Sequence, residues 1–190
     1  MQQIAGILLM GGKSSRFNKD KAYAIYDGKY FYEHIFEVIS SHVESTIVVA
    51  HDKQKVDDHV QVISDVARFQ GQGPLAGIYS AMIAKEAEWY VVLPVDMPFI
   101  DSSIIKTLIA HRMKEVNGVV ARIRDKIQPL VAVYHRSICD VIHKHLIAEK
   151  RSMHSLLDVL RVEYVDFTDD DAHAFRNINT QEEYELYMKE

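Results

Sequence analysis

Apolar runs of strand length alternate with segments whose apolar residues recur at helical spacing, and this alternation leaves few folds open to the chain. Ile4–Leu9 is the first run. Tyr32, Ile35, Phe36 and Ile39 then fall on one face of a helix. Residues 46–50 (Thr-Ile-Val-Val-Ala) and 60–63 are short strands of buried type. Residues 74–85 read as a helix, with Gly73 at its cap and Pro74 in the first turn, where a missing N–H costs nothing. The run 89–95 (Trp-Tyr-Val-Val-Leu-Pro-Val) is continuously apolar, as a central parallel strand covered on both faces should be. Asp101-Ser102-Ser103 caps a helix carrying Ile104, Ile105, Leu108 and Ile109. Strands at 119–121 and 130–134 follow, then a helix with Ile138, Val141, Ile142 and Leu146. Thr180-Gln181-Glu182-Glu183 is a capping box that opens a last helix over 180–188. Repeated strand–helix units imply an α/β fold, a mostly parallel sheet with helices on both faces. No Gly-, Pro- or Ser-rich linker divides the 190 residues, so a single domain over 1–190 is expected.

In such a sheet, ligands bind beyond the carboxyl ends of the strands. The first strand empties into Met10-Gly11-Gly12-Lys13-Ser14-Ser15-Arg16-Phe17-Asn18-Lys19-Asp20-Lys21. Paired glycines allow close backbone approach, successive N–H groups form an anion-binding concavity, and Lys13, Arg16, Lys19 and Lys21 neutralise charge. These are the requirements for holding a triphosphate, although a solvated basic turn has the same composition. The Walker pattern does not fit: its first glycine would have to stand at Ile7, inside the strand, and no clear helix follows Ser14.

Two further strand ends carry chemistry. Asp65 follows the strand at 60–63, and Asp96 follows the run at 89–95 between Pro94 and Pro98, which fix the turn. A carboxylate beside a triphosphate loop is what Mg²⁺ needs, since that ion is usually held by one or two carboxylates plus substrate phosphates. An Asx-type turn is the alternative for Asp96. The segment Gly71-Gln72-Gly73-Pro74-Leu75-Ala76-Gly77 has dinucleotide-fingerprint character with its spacing off by one; a tight loop into a helix explains it equally, and its small residues would let a nucleobase lie against the backbone.

Other classes are disfavoured. With 22 basic and 27 acidic residues the net charge is −5, so the cations near the first loop form a local patch for a small anion and no nucleic-acid partner is expected. The apolar run at the N-terminus is too short to span a membrane and has no basic residues before it, so a cytoplasmic location and no membrane partner are expected. Cys139 is the one cysteine and sits in a helical segment, where a packed or partly exposed structural thiol is expected. The ten histidines lack zinc-site spacing. Asp169-Asp170-Asp171 reads as a solvated turn.

Taken in order, Leu9-x-Gly11-Gly12-x-x-x-Arg16, Asp20-Lys21, Gly73-Pro74-Leu75-Ala76-Gly77, Pro94-x-Asp96-x-Pro98-Phe99, Gln128-Pro129-Leu130 and Phe175-x-Asn177-x-Asn179-Thr180 resemble the molybdenum cofactor guanylyltransferases, from about Ile4 to Glu183. The resemblance implies a three-layer Rossmann-like nucleotidyltransferase fold. It also implies transfer of GMP from GTP to the terminal phosphate of molybdenum-molybdopterin, with release of pyrophosphate. Carried over by position, Leu9, Met10, Gly11 and Gly12 line the nucleotide pocket, Arg16 and Lys21 bind the triphosphate, Asp65 binds the nucleoside, and Asp96 holds Mg²⁺. Arg16, Lys21 and Asp96 are the catalytic set, while Asn177 and Asn179 belong to the pterin side. Molybdoenzymes that accept the finished cofactor are the implied partners. Three departures stand out: Met10 in place of the usual alanine, Phe17-Asn18 in place of Met-Gly, and Ala50 where some members carry an asparagine. Gly11-Gly12 and Pro94-Val95-Asp96 favour guanine over the cytidylyltransferase pattern. Rival readings are a related nucleotidyltransferase with another base or acceptor, a GTP sensor without turnover, and an NAD-dependent oxidoreductase resting on the Gly71 segment alone.

Overall fold

A computed structural model describes residues 3–11, 20–51, 54 and 56–188. Its strands are β1 (Ile4–Leu9), β2 (Ile25–Tyr26), β3 (Lys29–Tyr30), β4 (Ser45–Val49), β5 (Gln61–Ile63), β6 (Trp89–Pro94), β7 (Gly118–Ile123), β8 (Lys126–His135) and β9 (Val162–Phe167). The helices are α1 (Phe31–Ser40), α2 (Pro74–Ala84), α3 (Ser102–Ala110), α4 (Cys139–Ile147), α5 (Met153–Leu157) and α6 (Gln181–Tyr187).

Seven strands form one sheet in the order β5-β4-β1-β6-β8-β7-β9. β8 alone runs against the others: its pairings with β6 and β7 are antiparallel, and the remaining pairings in this sheet are parallel. Period-two alternation divides the core between two layers. Leu8 of β1 and Trp89, Val91 and Leu93 of β6 pack toward α1 and α3. Ala5, Ile7 and Leu9, with Tyr90 and Val92, pack toward α2, α4 and α5. Burial on both faces requires apolar residues at every position, which is why these two strands read as unbroken apolar runs.

Most elements lie where the sequence places them, with ends shifted by one or two residues. Asp101 caps α3, accepting hydrogen bonds from the N–H groups of Ser103 and Ile104. The Thr180–Glu183 box caps α6. The differences have local causes. β7 and β8 extend well past their apolar cores because they are joined by a two-residue hairpin, Arg124-Asp125, with φ of 48° and 62°. A register shift interrupts their pairing between Val120 and Ala121. β9 is absent from the sequence reading because Glu163 and Asp166 break its apolar pattern at the edge of the sheet. The β2–β3 hairpin also escaped that reading, although Asp27-Gly28 is a strong turn signal.

Asp169–His173 forms a 3₁₀ turn with no buried residue, in line with the solvated turn expected there. Cys139 starts α4, and burial pushes its thiol up, away from the reactive thiolate. Among the described residues no three metal-ligating side chains gather at one point, and no helix is long and apolar enough to cross a membrane.

α1 lies directly over the backbone of β1 at Gly6. A Cβ there would collide with Ile39 Cγ2 and come within 3.0 Å of Thr46 Oγ1. Gly6→Ala should therefore destabilise the fold by about 1–3 kcal/mol, as overpacking does. The expected result in a thermal melt is a Tm several degrees lower; an unchanged Tm would show that α1 shifts without cost.

Candidate active site

The chain leaves β1 toward α1 on one face of the sheet and enters β6 from α2 on the other. Strand order therefore reverses at β1, and a crevice opens at the carboxyl ends of β1, β4 and β6. A cavity of about 430 Å³ occupies it. Leu9 and Gly11 follow the end of β1 into the cavity, Val49, Ala50 and His51 the end of β4, and Pro94, Val95 and Asp96 the end of β6. Asp65, Gly71, Gly73, Pro74 and Gly77 form a further wall, with Lys21 and Leu130 completing the lining. Backbone bonds past the strand ends hold these segments in register: Met10 N–H donates to Val49 O at 2.9 Å, Val95 N–H to Leu9 O at 3.0 Å, and Ala50 N–H to Ile63 O at 2.9 Å.

The central polar contact is an ion pair, Lys21 Nζ to Asp96 Oδ2 at 2.9 Å, with the two side chains 12% and 24% exposed. Local chemistry fixes both partners. Lys21 opens a 3₁₀ turn capped by Asp20, whose Oδ1 accepts from Ala22 N–H at 3.1 Å. The other oxygen of Asp20 accepts from Gln54 Nε2 at 2.6 Å, and Gln54 Oε1 accepts from His51 N–H at 2.9 Å. Asp96 stands at the turn after β6, where its backbone carbonyl accepts from Ile178 N–H at 2.8 Å. The same lysine donates to Asn179 Oδ1 at 3.1 Å. Three segments remote in sequence thus meet at one ammonium.

Asp65 Oδ2 accepts from Gly71 N–H at 3.1 Å, which ties the end of β5 to the loop before α2. That loop turns through Gly73 at φ 81° and ψ −165°, a region open almost only to glycine. Farther on, α2 passes close to β1 and β4. A Cβ on Gly77 would lie 2.9 Å from Leu9 Cδ2 and 3.3 Å from Val49 Cγ1. The Gly71–Gly77 segment is thus a tight loop into a helix and one wall of the cavity.

Of the residues singled out from sequence, Leu9, Gly11, Lys21, Asp65 and Asp96 converge on this cavity. Met10 does not: its side chain is buried in the layer shared with α1, so only its backbone faces the neighbouring loop, through Gln54 Nε2 at 3.4 Å from its carbonyl. Asn179 reaches Lys21, but both it and Asn177 are exposed and neither lines the cavity. Gly12 and Arg16, together with Phe17 and Asn18, lie outside the described residues. His51, Ala50 and Leu130 were given no role from sequence, yet His51 directly follows the strand read at 46–50 and was open to the strand-end rule.

The mostly parallel α/β sheet thus carries a glycine-walled cavity and a lysine–aspartate pair beyond its strand ends, where open α/β sheets bind ligands. The family description "MobA-like NTP transferase domain" matches residues 6–165. A "Probable molybdenum cofactor guanylyltransferase" from Bacillus cereus (strain ATCC 10987 / NRS 248) is 41% identical over 196 aligned positions, covering 100% of this chain and 98% of that protein. Its counterpart in Bacillus anthracis (strain CDC 684 / NRRL 3495) has the same identity and coverage. The chain belongs to the molybdenum cofactor guanylyltransferase family. Solved structures agree on the fold. Molybdopterin-guanine dinucleotide biosynthesis protein A from Archaeoglobus fulgidus gives a TM-score of 0.78 at 23% identity, over 97% of both chains. The 4-diphosphocytidyl-2C-methyl-D-erythritol synthase of Anaerococcus prevotii gives 0.72 at 14% identity, over 100% of this chain and 99% of that one.

Space is open around Gly73, with nothing within 4 Å of an added Cβ, so the backbone angle alone penalises substitution. Gly73→Ala should cost about 1–3 kcal/mol. In urea the midpoint should fall while the slope stays constant; an unchanged midpoint would mean that the loop relaxes to another conformation.

Proposed function

We propose that the protein joins GMP, taken from GTP, to the terminal phosphate of molybdenum-molybdopterin, forming the guanine dinucleotide cofactor. An oxygen of the acceptor phosphate bonds to the α-phosphorus of GTP, the bond from that phosphorus to the bridging oxygen breaks, and pyrophosphate leaves. The observation that carries this reading is the Lys21–Asp96 pair at the cavity, on the strand ends where nucleotides bind in open parallel sheets. Kinship with the molybdenum cofactor guanylyltransferases supports the guanine and the pterin.

The attacking group is already anionic, so a strong base is unnecessary. The barrier lies in bringing two anions together and in stabilising the departing pyrophosphate, which makes catalysis a matter of position and charge. Lys21 supplies a fixed positive charge at the triphosphate. Gly11 and the glycines before α2 let backbone and base approach closely, and Asp65 accepts hydrogen bonds from the nucleoside. Arg16 and Gly12 join this set by family position.

Asp96 is the residue to hold Mg²⁺. Its carboxylate already accommodates a cation at 2.9 Å, and an oxygen donor completed by substrate phosphates suits a hard ion. When bound, the metal neutralises charge on the phosphoryl oxygens. Asn177 would stand toward the pterin. A cytoplasmic site of synthesis and delivery to molybdoenzymes complete the reading.

Pyrophosphate release should be followed with each of the four nucleoside triphosphates and Mg²⁺, with and without intact molybdenum-molybdopterin. Release from GTP, and only with the pterin, is the expected result; release from CTP instead would overturn the base assignment. Asp96→Asn and Lys21→Ala should each lower kcat/KM about a hundredfold or more while the circular dichroism spectrum stays native. Normal turnover in either variant would remove that residue from the mechanism.

A further inference from the structure

The contact between Lys21 and Asn179 joins residues 158 positions apart, and Asn179 lies beyond the matched residues 6–165. Lys21 and Asp96 line the cavity and Asn179 does not. An ammonium has three donors and no acceptor, so the Asn179 Oδ1 and Asp96 Oδ2 contacts fix the direction of the remaining N–H.

Asn179 is itself held from three sides. One residue earlier, Ile178 is fully buried and its N–H donates to Asp96 O at 2.8 Å, which sets the register of this segment against the aspartate. Glu183 Oε2 accepts from the N–H of Asn179 at 2.7 Å and of Thr180 at 3.1 Å, and Thr180 Oγ1 accepts from Glu183 N–H at 3.1 Å. One helical turn on, Tyr184 packs on Phe31 and its hydroxyl donates to Ile25 O at 3.0 Å. Ile25 lies in the hairpin that follows the Lys21 turn, so the network closes on itself.

We infer that Asn179 is a positioning residue: held by the Glu183 capping box, it fixes the Lys21 ammonium against Asp96 at the height where the triphosphate binds. This assigns Asn179 to the nucleotide through Lys21 rather than to the pterin, and it rests on the nucleotide-binding reading above.

Two measurements on the full chain test it. In the nucleotide-free protein, acetic anhydride labelling resolved by peptide mass should show Lys21 modified about tenfold faster in Asn179→Ala than in wild type, the scale of a lost hydrogen bond to a charged group. Exposed Lys126 should label at an unchanged rate. Equal Lys21 rates in the two proteins would overturn the inference. Calorimetry with GTP and Mg²⁺, without pterin, should show about a tenfold weaker affinity for Asn179→Ala. The same change in a Lys21→Ala background should have no further effect. Additive losses, or wild-type affinity in Asn179→Ala, would overturn the positioning role, the latter returning Asn179 to the pterin side. Glu183→Gln, which keeps an acceptor oxygen, should match wild type where Glu183→Ala weakens binding. If wild type binds no GTP, the proposed function falls, while the labelling still decides what holds Lys21.

Discussion

Burial of β1 on both faces is the constraint on which the rest of the structure depends. A strand so placed must be apolar at every position and must have a helical layer on each side. Ala5, Ile7 and Leu9 pack toward one layer and Leu8 toward the other, while β4 and β6 flank it. Three strands then end at one level with their connections diverging to opposite faces. The cavity is a consequence of that divergence. Glycine at position 6 of the same strand allows α1 its close approach, so one six-residue strand sets both layer spacing and site location.

What the sequence made legible depended on how far each signal was local. β6 was readable because its six positions are all buried, and α2, α3 and α6 because proline, aspartate and a capping box punctuate their starts. β9 was hidden for the converse reason: at a sheet edge its alternate residues meet solvent, and Glu163 and Asp166 erase the apolar run. The reversal of β8 was also beyond reach of periodicity, since a strand's direction is set by the Arg124-Asp125 turn and not by its own composition.

The site divides in the same way. Asp65 and Asp96 stand just past the carboxyl ends of their strands, where the topology of a parallel sheet directs attention, and His51 answers to that rule as well. Lys21 could be listed among cations but not singled out by charge alone; matched family position did that. The contacts of Asn179 and Gln54 were invisible because each depends on a partner far along the chain. Met10 shows the limit of carrying a role over by position. A backbone place in a nucleotide loop says nothing of its side chain, and period-two alternation turns that side chain into the core.

The proposed transfer between two anions requires a protein of net charge −5 to concentrate and fix its positive charge. Lysine suits that task at position 21 because its donors radiate from one atom: two can be committed to Asp96 and Asn179 while another N–H remains for a phosphate. An arginine would present a planar fork matched to one carboxylate, drawing the charge toward Asp96 and away from the ligand. The partial burial of the pair strengthens its field, since fewer waters stand between the charges and an approaching phosphate. Held by a segment that arrives from the far end of the chain, the ammonium depends on the folded whole: the site forms only when the first strand, the sixth and the C-terminal turn have all reached their places.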